Sequence, residues 1–218
     1  LCHSAEEAPL NPPIRGEEGS AYLCAAIERK NEVVEKLKAG VAQLMKTPGI
    51  TLVEGEARFS PTPALPRREG EVHTIEVQQM VNGEMVNGKW EAPNIIIATG
   101  SKTKFLSIPG AHAEGVVTST EMLNLTTLPQ RLAIIGGGVI GLEFASIFQA
   151  LGSQVTVIEF CKEVLPNFDR DLAKRLRTSL KKRGFEFHVG AAAKEISPLP
   201  TSPKGEENLI VHFEEKGK

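Results

Sequence analysis

The sequence predicts an α/β protein with doubly wound, Rossmann-like parallel sheets, and three features of its second half carry that expectation. Apolar, strand-length runs at residues 132–135, 155–159 and 185–189 alternate with two helix-period segments, one at 139–151 and one opened by Asp169 or Asp171. Both helical segments stop at a glycine, Gly152 and Gly184, the residue that most readily takes the left-handed conformation of a helix end. The first of these helices opens on a glycine-rich turn, GGGVIG at 136–141. Strand, helix, strand, helix, strand in that order implies parallel strands joined by right-handed crossovers.

Along the chain, the first twenty residues are rich in Pro, Glu and Gly and read as irregular. Residues 21–46 are helical in period. Val34, Leu37, Val41 and Leu44 recur at three- and four-residue steps, with Glu32, Glu35, Lys36 and Lys38 facing water. Pro48-Gly49 stops this helix, and a strand is expected at 50–53. The segment 60–70, SPTPALPRREG, is expected to be an exposed loop. Residues 73–77 and 80–86 alternate like a hairpin, with Asn82-Gly83 and Asn87-Gly88 as turn candidates. The unbroken apolar run NIIIA at 94–98 is what a strand buried on both faces requires. Leu142, Ala145, Phe148 and Leu151 share one helical face, and Leu172, Leu176 and Leu180 share another. The stretch 197–203, SPLPTSP, reads as a loop, followed by a short strand at 209–213.

Composition narrows the function classes. Hydrophobic residues make up 41% and charged residues 24% of the 218, ordinary for a globular protein. A net charge of −2 gives no reason to expect a polyanion as partner, since nucleic-acid binders usually show a clear basic excess. No apolar run approaches the about 20 residues of a membrane span, and the N-terminus lacks the basic start and apolar stretch of a signal peptide. Cys2, Cys24 and Cys161 are far apart and odd in number, which argues against a disulfide framework or a zinc site. The five histidines show no metal-ligand spacing. A reducing, cytoplasmic compartment fits. With no initiating Met, the chain is expected to begin inside a longer protein.

The glycine turn carries the chemistry. GxGxxG alone is a weak signal; here it follows a buried strand, opens a helix and sits in a strand-helix-strand unit ending in an acid, Glu159, 23 positions after Gly136. Gly136 permits the tight turn, Gly138 lets a pyrophosphate approach the backbone, and Gly141 lets helix and strand pack closely. The diphosphate would lie at the helix N-terminus, where free N–H groups point outward. Glu159 stands where an acid accepts hydrogen bonds from the adenosine ribose. Its charge repels the extra phosphate of NADP, and Phe160-Cys161 offers no arginine to offset it, so NAD is favoured. Gly136, Gly137, Gly138, Val139, Ile140, Gly141, Leu142 and Glu159 are therefore candidate NAD-binding residues. The competing reading is a turn used for packing alone, with Glu159 a solvated strand end.

The stretches NIIIATGSKTKFLSIPG, VVTSTEML and LPQRLAIIGGGVIGLEFASIFQALGSQVTVIEF closely resemble the dihydrolipoamide dehydrogenases of the pyridine nucleotide-disulfide oxidoreductase family. The resemblance covers roughly 33–59 and 94–196 together with the opening LCHSAE, and is most specific over 94–159. It implies two cofactors, FAD in one doubly wound domain and NAD in a second inserted into it. Electrons pass between dihydrolipoamide, a cysteine pair, the flavin and NAD. It implies a partial FAD-binding domain with its connecting segment at 1–125, and an NAD-binding domain lacking its last strand at 126–218. It places Ala98, Thr99, Gly100 and Ser101 where the FAD domain closes near the flavin, and Gly55 and Ala57 at the FAD adenine, the family often having Gly in place of Ala57. Val139 matches the position that shields the flavin until NAD arrives. Glu143 matches a glutamate that pairs with a lysine near the flavin, and a charge on a buried helical face needs such a partner. The implied partners are a dihydrolipoamide-bearing protein and a second copy of the chain in a homodimer.

The same resemblance exposes departures. LCHSAE looks like the segment just beyond the family's C-x4-C redox motif, so Cys2 has no partner at the right spacing. The FAD fingerprint and the catalytic His-Glu pair have no counterpart in these residues. No residue is therefore assigned a catalytic role, and the 218 residues alone are expected to be inactive. A mercuric reductase-like or other flavoprotein disulfide reductase is one alternative, which Glu159 disfavours because such enzymes tend to use NADP. A non-catalytic nucleotide-binding module, or a degenerate gene product, is another.

Overall fold

A computed structural model describes residues 17–59, 72–81, 83–199 and 208–215. The expected loop at 60–70, Cys2 and the segment LCHSAE lie outside them. The chain divides into two units, one of Leu1–Glu35 with Thr103–Lys218 and one of Lys36–Lys102.

Helix α1 runs Glu17–Leu44 and contributes to both units. Its buried hydrophobic residues are Leu23, Ala26 and Ile27, spaced three and four apart as one helical face demands. The expected stripe of Val34, Leu37, Val41 and Leu44 is exposed instead. Periodicity marks the face a neighbour could cover, and among the described residues nothing covers this one.

In the Lys36–Lys102 unit, three antiparallel strands form a sheet in sequence order, β1 Glu56–Phe59, β2 His73–Val81 and β3 Glu84–Ala92. Val81 pairs with Glu84, and between them Gly83 has φ +85°; Asn82, the other half of that turn candidate, lies outside the described residues. Asn87-Gly88, the other turn candidate, lies within β3 opposite Gln78 and Val77. Strands were expected at 50–53 and 94–98, yet both segments are irregular. Ile96 is 91% exposed. An apolar run becomes a strand only beside a ladder partner, and no described strand lies alongside either segment.

The larger unit holds the parallel sheet. Strands β4 Arg131–Ile135, β5 Gln154–Glu159 and β6 Glu186–Val189 lie in that order, parallel, with β5 central. A short helix, α2 Ser119–Met122, precedes them, its N-terminus closed by a capping box of Thr118 and Glu121. Helix α3 Val139–Ala150 joins β4 to β5, and α4 Arg170–Lys182 joins β5 to β6. Asp169 caps α4 by accepting from the N–H groups of Asp171 and Leu172, while Lys181 and Lys182 in its last turn complement the helix dipole. Strand order, helix placement and the Gly152 and Gly184 stops are those the sequence predicts; both glycines have positive φ.

The core lies between sheet and helices. It gathers Leu142, Ala145, Phe148 and Leu151 from α3, Val155 and Val157 from β5, Leu180 from α4, Phe185 and Phe187 from β6, and Leu23 and Ile27 from α1. On α4 the buried partner of Leu180 is Ala173, whereas Leu172 and Leu176 are exposed. The broad leucine stripe is thus rotated off the core by about one residue. A final antiparallel pair, β7 Ala191–Pro198 and β8 Leu209–Glu215, has an irregularity between Ala193 and Glu195. Ser197 and Pro198, expected in a loop, end β7, and the rest of the proline-rich stretch beyond Leu199 lies outside the described residues. Among the described residues no helix is long and apolar enough to cross a membrane.

Phe148 is fully buried in this core. Phe148→Ala should lower unfolding free energy by about 3–5 kcal/mol, and Leu172→Ala by no more than about 0.5 kcal/mol. Urea denaturation of the two variants checks the assignment of faces; comparable losses would show it to be wrong.

Candidate functional site

Ile135, the end of β4, leads directly into the glycine turn. Gly136 takes φ +115°, a conformation open to glycine, and donates its N–H to the Ile158 carbonyl at 2.8 Å. That bond fastens the start of the turn to the end of β5. Gly138 is the N-cap of α3 and, having no side chain, leaves the helix N-terminus without a side-chain cap. A Cβ on Gly138 would meet nothing within 4 Å, so the turn is open there. A Cβ on Gly141 would overlap the Gly136 carbonyl oxygen and lie 3.3 Å from Ile134 Cγ2. The three motif glycines thus answer to three different demands: backbone conformation, open space, and close packing.

Glu159 closes the site from the neighbouring strand. It is 7% exposed, and a buried carboxylate needs donors. Oε2 accepts from the Gly137 N–H at 2.6 Å, and Oε1 from the Cys161 N–H at 2.7 Å. The competing expectation of Glu159 as a solvated strand end is thereby overturned: β5 is the central strand and carries its last residue inside. Cys161, beside this carboxylate, has its thiol pushed up in pKa, first by hydrogen bonding to Glu159 and then by burial.

Gly137 is the residue whose part sequence reasoning missed. Its N–H meets Glu159, its carbonyl accepts from the Leu165 N–H at 2.9 Å, and a Cβ would lie 3.0 Å from Val164 Cγ1 and 3.2 Å from Glu159 Cβ. The loop of residues 160–168 therefore seats on the turn. Its sign in the sequence is the apolar pair Val164-Leu165 before Pro166 in the connection between β5 and α4. Val164 is fully buried. Glu163 makes a two-pronged ion pair with Arg177 of α4, at 2.5 and 2.9 Å, and the Arg177 guanidinium holds its carboxyl below the usual glutamate range.

The remaining candidates fall into three groups. Leu142 is buried, and Val139 and Ile140 are exposed beside the turn on the first turn of α3. Glu143 is exposed rather than on a buried face: the buried side of α3 is the Leu142, Ala145 and Phe148 side, and its neighbour in sequence points elsewhere. In the other unit, Gly55 approaches β2 so closely that a Cβ would overlap the Gln78 carbonyl oxygen and lie 2.8 Å from Val77 Cγ1. Ala57 pairs with Val77. Ala98, Thr99, Gly100 and Ser101 are exposed and irregular, Gly100 with φ +73° and nothing within 4 Å of its Cβ position. Close approach to β2 already accounts for glycine at 55.

A parallel α/β unit with an open glycine turn, an uncapped helix N-terminus and a buried acid at the end of the second strand is of the dinucleotide-binding class in its architecture. Comparison with known proteins makes the assignment specific. Residues 3–216 match the model of the pyridine nucleotide-disulphide oxidoreductase family, and the chain belongs to that family. Members of it use FAD and NAD(P). Dihydrolipoyl dehydrogenase of Bacillus subtilis is 38% identical over 200 residues, covering 88% of this chain and 38% of the relative. The mitochondrial dihydrolipoyl dehydrogenase of Pisum sativum is 36% identical over 192 residues, covering 87% and 35%. The HOCl-induced flavoprotein disulfide reductase RclA from Escherichia coli superposes with a TM-score of 0.70 at 33% identity, covering 97% of this chain and 41% of that one. The chain thus spans between a third and a half of the length of these relatives, which are oxidoreductases of the flavoprotein disulfide type.

The second and third motif glycines, Gly138 and Gly141, should separate cleanly. Gly141→Ala is expected to cost about 1–3 kcal/mol of stability, because backbone must shift, and Gly138→Ala to stay within about 0.5 kcal/mol. Denaturant titration reads both, and the reverse order would remove the packing role assigned to Gly141.

Proposed function

We propose that this chain supplies the NAD-binding part, residues 126–218, and a portion of the FAD-binding part, within residues 1–125, of an FAD- and NAD-dependent disulfide oxidoreductase that oxidises dihydrolipoamide. The observation that carries the NAD assignment is the Glu159 carboxylate, fixed by the Gly137 and Cys161 N–H groups beside an uncapped helix N-terminus. Each carboxylate oxygen keeps a lone pair for a ribose hydroxyl, and the N–H groups at the start of α3 meet a diphosphate. The residues present fit the dinucleotide. Gly136, Gly137, Gly138, Val139, Ile140, Gly141 and Leu142 would line the diphosphate side, and Glu159 the ribose. NAD, when bound, supplies the hydride acceptor; the chain's own residues bind and orient it.

The lipoamide reading is supported by the Bacillus and pea relatives, whose names state dihydrolipoyl dehydrogenase. Assignment of Gly55, Ala57, Ala98, Thr99, Gly100 and Ser101 to FAD, of Val139 to flavin shielding and of Glu143 to a lysine near the flavin rests on the family resemblance. So do a lipoyl-bearing partner protein and a homodimer, while a cytoplasmic site of action rests on the scattered, odd number of cysteines. Among the described residues Cys24 and Cys161 are remote in sequence and both free, so these residues hold no cysteine pair for the disulfide step.

Fluorescence titration of the purified chain tests this. NADH should bind at least about tenfold more tightly than NADPH, a difference of about 1.4 kcal/mol, because the buried carboxylate repels the extra phosphate on the adenosine ribose of NADPH. Gly138→Ala should weaken NADH with little change in melting temperature, and no lipoamide-dependent NADH turnover should be seen. Equal affinity for the two nucleotides, or no binding, would sink the NAD assignment; turnover by the chain alone would sink the statement about the dithiol.

A further inference from the structure

The ion pair of Glu163 and Arg177 is joined to the glycine turn by a continuous set of contacts. Its side chains are mostly buried, at 14% and 19% exposure, and both guanidinium contacts come from one fork, Nε and Nη2, onto the two carboxylate oxygens. Such a fork fixes orientation as well as distance. The Val164 N–H also donates to Glu163 Oε1 at 3.1 Å. The next side chain, Val164, is fully buried. The one after it, Leu165, has φ +50°, the sole positive φ outside glycine among the described residues and a conformation that a bulky side chain seldom takes. It persists where its surroundings over-determine it, and here they do. In that conformation Leu165 donates its N–H to the Gly137 carbonyl at 2.9 Å, while its own carbonyl accepts from the Phe168 N–H at 2.9 Å.

The bond to the Gly137 carbonyl has a consequence for the next residue. The peptide joining Gly137 to Gly138 is planar and trans, so its carbonyl and its N–H point in opposite directions. With the carbonyl held by Leu165, the Gly138 N–H is aimed away from the 160–168 loop, at the open end of α3.

We infer that Glu163 and Arg177 are positioning residues for the dinucleotide. They lock the 160–168 loop so that Leu165 fixes the Gly137–Gly138 peptide with its N–H toward the ligand's diphosphate. The inference rests on the NAD reading given above. Neither residue touches the ligand; they act through Leu165.

The test uses the full chain, with NADH affinity read by fluorescence and with ADP-ribose and adenosine as competitors. Arg177→Gln should weaken NADH and ADP-ribose about tenfold, the size of one hydrogen bond to a charged group, while adenosine, which has no phosphate, changes by less than about twofold. Arg177→Lys keeps the charge without the fork and should recover part of the loss. If Arg177→Gln does not fold, Glu163→Gln, of the same length and still an acceptor, carries the same comparison. A folded variant that binds ADP-ribose as the unmutated chain does overturns the inference alone. An equal loss for adenosine overturns it too, since that marks a general structural role. An unmutated chain that binds neither NADH nor ADP-ribose removes the NAD reading and this inference with it.

Discussion

A carboxylate carried into the buried end of a central strand must find donors, and in this chain the donors it finds are main-chain N–H groups of the two loops that flank it. Glu159 accepts from Gly137 on one side and Cys161 on the other. Each such bond to a charged group is worth roughly 1.5–3 kcal/mol, whereas the same carboxylate left buried without them would be strongly destabilising. The glycine turn and the 160–168 loop are thus built around one side chain. Gly136 is bonded to the Ile158 carbonyl one residue before it, so the start of the turn is tied to β5 through backbone as well. The result is a helix N-terminus whose position is set from the adjacent strand rather than by its own cap.

That arrangement explains why glycine suits position 137 as well as the motif positions. Both its N–H and its carbonyl are bonded, and Val164 and the Glu159 side chain occupy the volume a Cβ would need. The motif as written leaves position 137 free. The requirement comes from a loop 27 residues downstream, counted from 137 to 164, and no local pattern could reveal it.

How much was legible in the sequence follows from the range of the forces concerned. The parallel unit was readable almost to its ends, because strand runs such as 155–159 and helix stops such as Gly152 and Gly184 are decided by neighbours a few residues away. The glycine turn at 136–141, the helix it opens and the acid at 159 were readable for the same reason, through the spacing of one strand-helix-strand unit. What failed were statements about who covers what. Residues 94–98 carry the composition of a doubly buried strand and yet lie open, and the Val34, Leu37, Val41 and Leu44 stripe has the right period and faces solvent. Composition and period encode the capacity to be buried; burial itself depends on a partner surface that the pattern does not contain. The antiparallel pairing of 56–59 and of 191–198 was missed on the same account, since strand pairing is a long-range choice.

The two α4 faces show the limit most sharply. Leu172, Leu176 and Leu180 satisfy the period, but the face that packs is the one containing Ala173 and Leu180, and Arg177 follows on that same side, four residues after Ala173. A helix turned by one position to bury Leu172 and Leu176 would draw Arg177 away from Glu163. Its apolar gain, on the order of 2 kcal/mol for each leucine side chain, would leave Glu163 facing a mostly buried site without its counter-ion, a loss of about 3–5 kcal/mol for a pair that is truly buried and less for one exposed to the extent seen here. The two effects are of similar size, so rotation is decided by the remaining contacts: the Asp169 cap, the shielded Val164 and the Leu165 bond to Gly137 all require the loop in its observed place. The orientation of α4 is therefore set by the loop that seats on the glycine turn, and the leucine stripe yields to it.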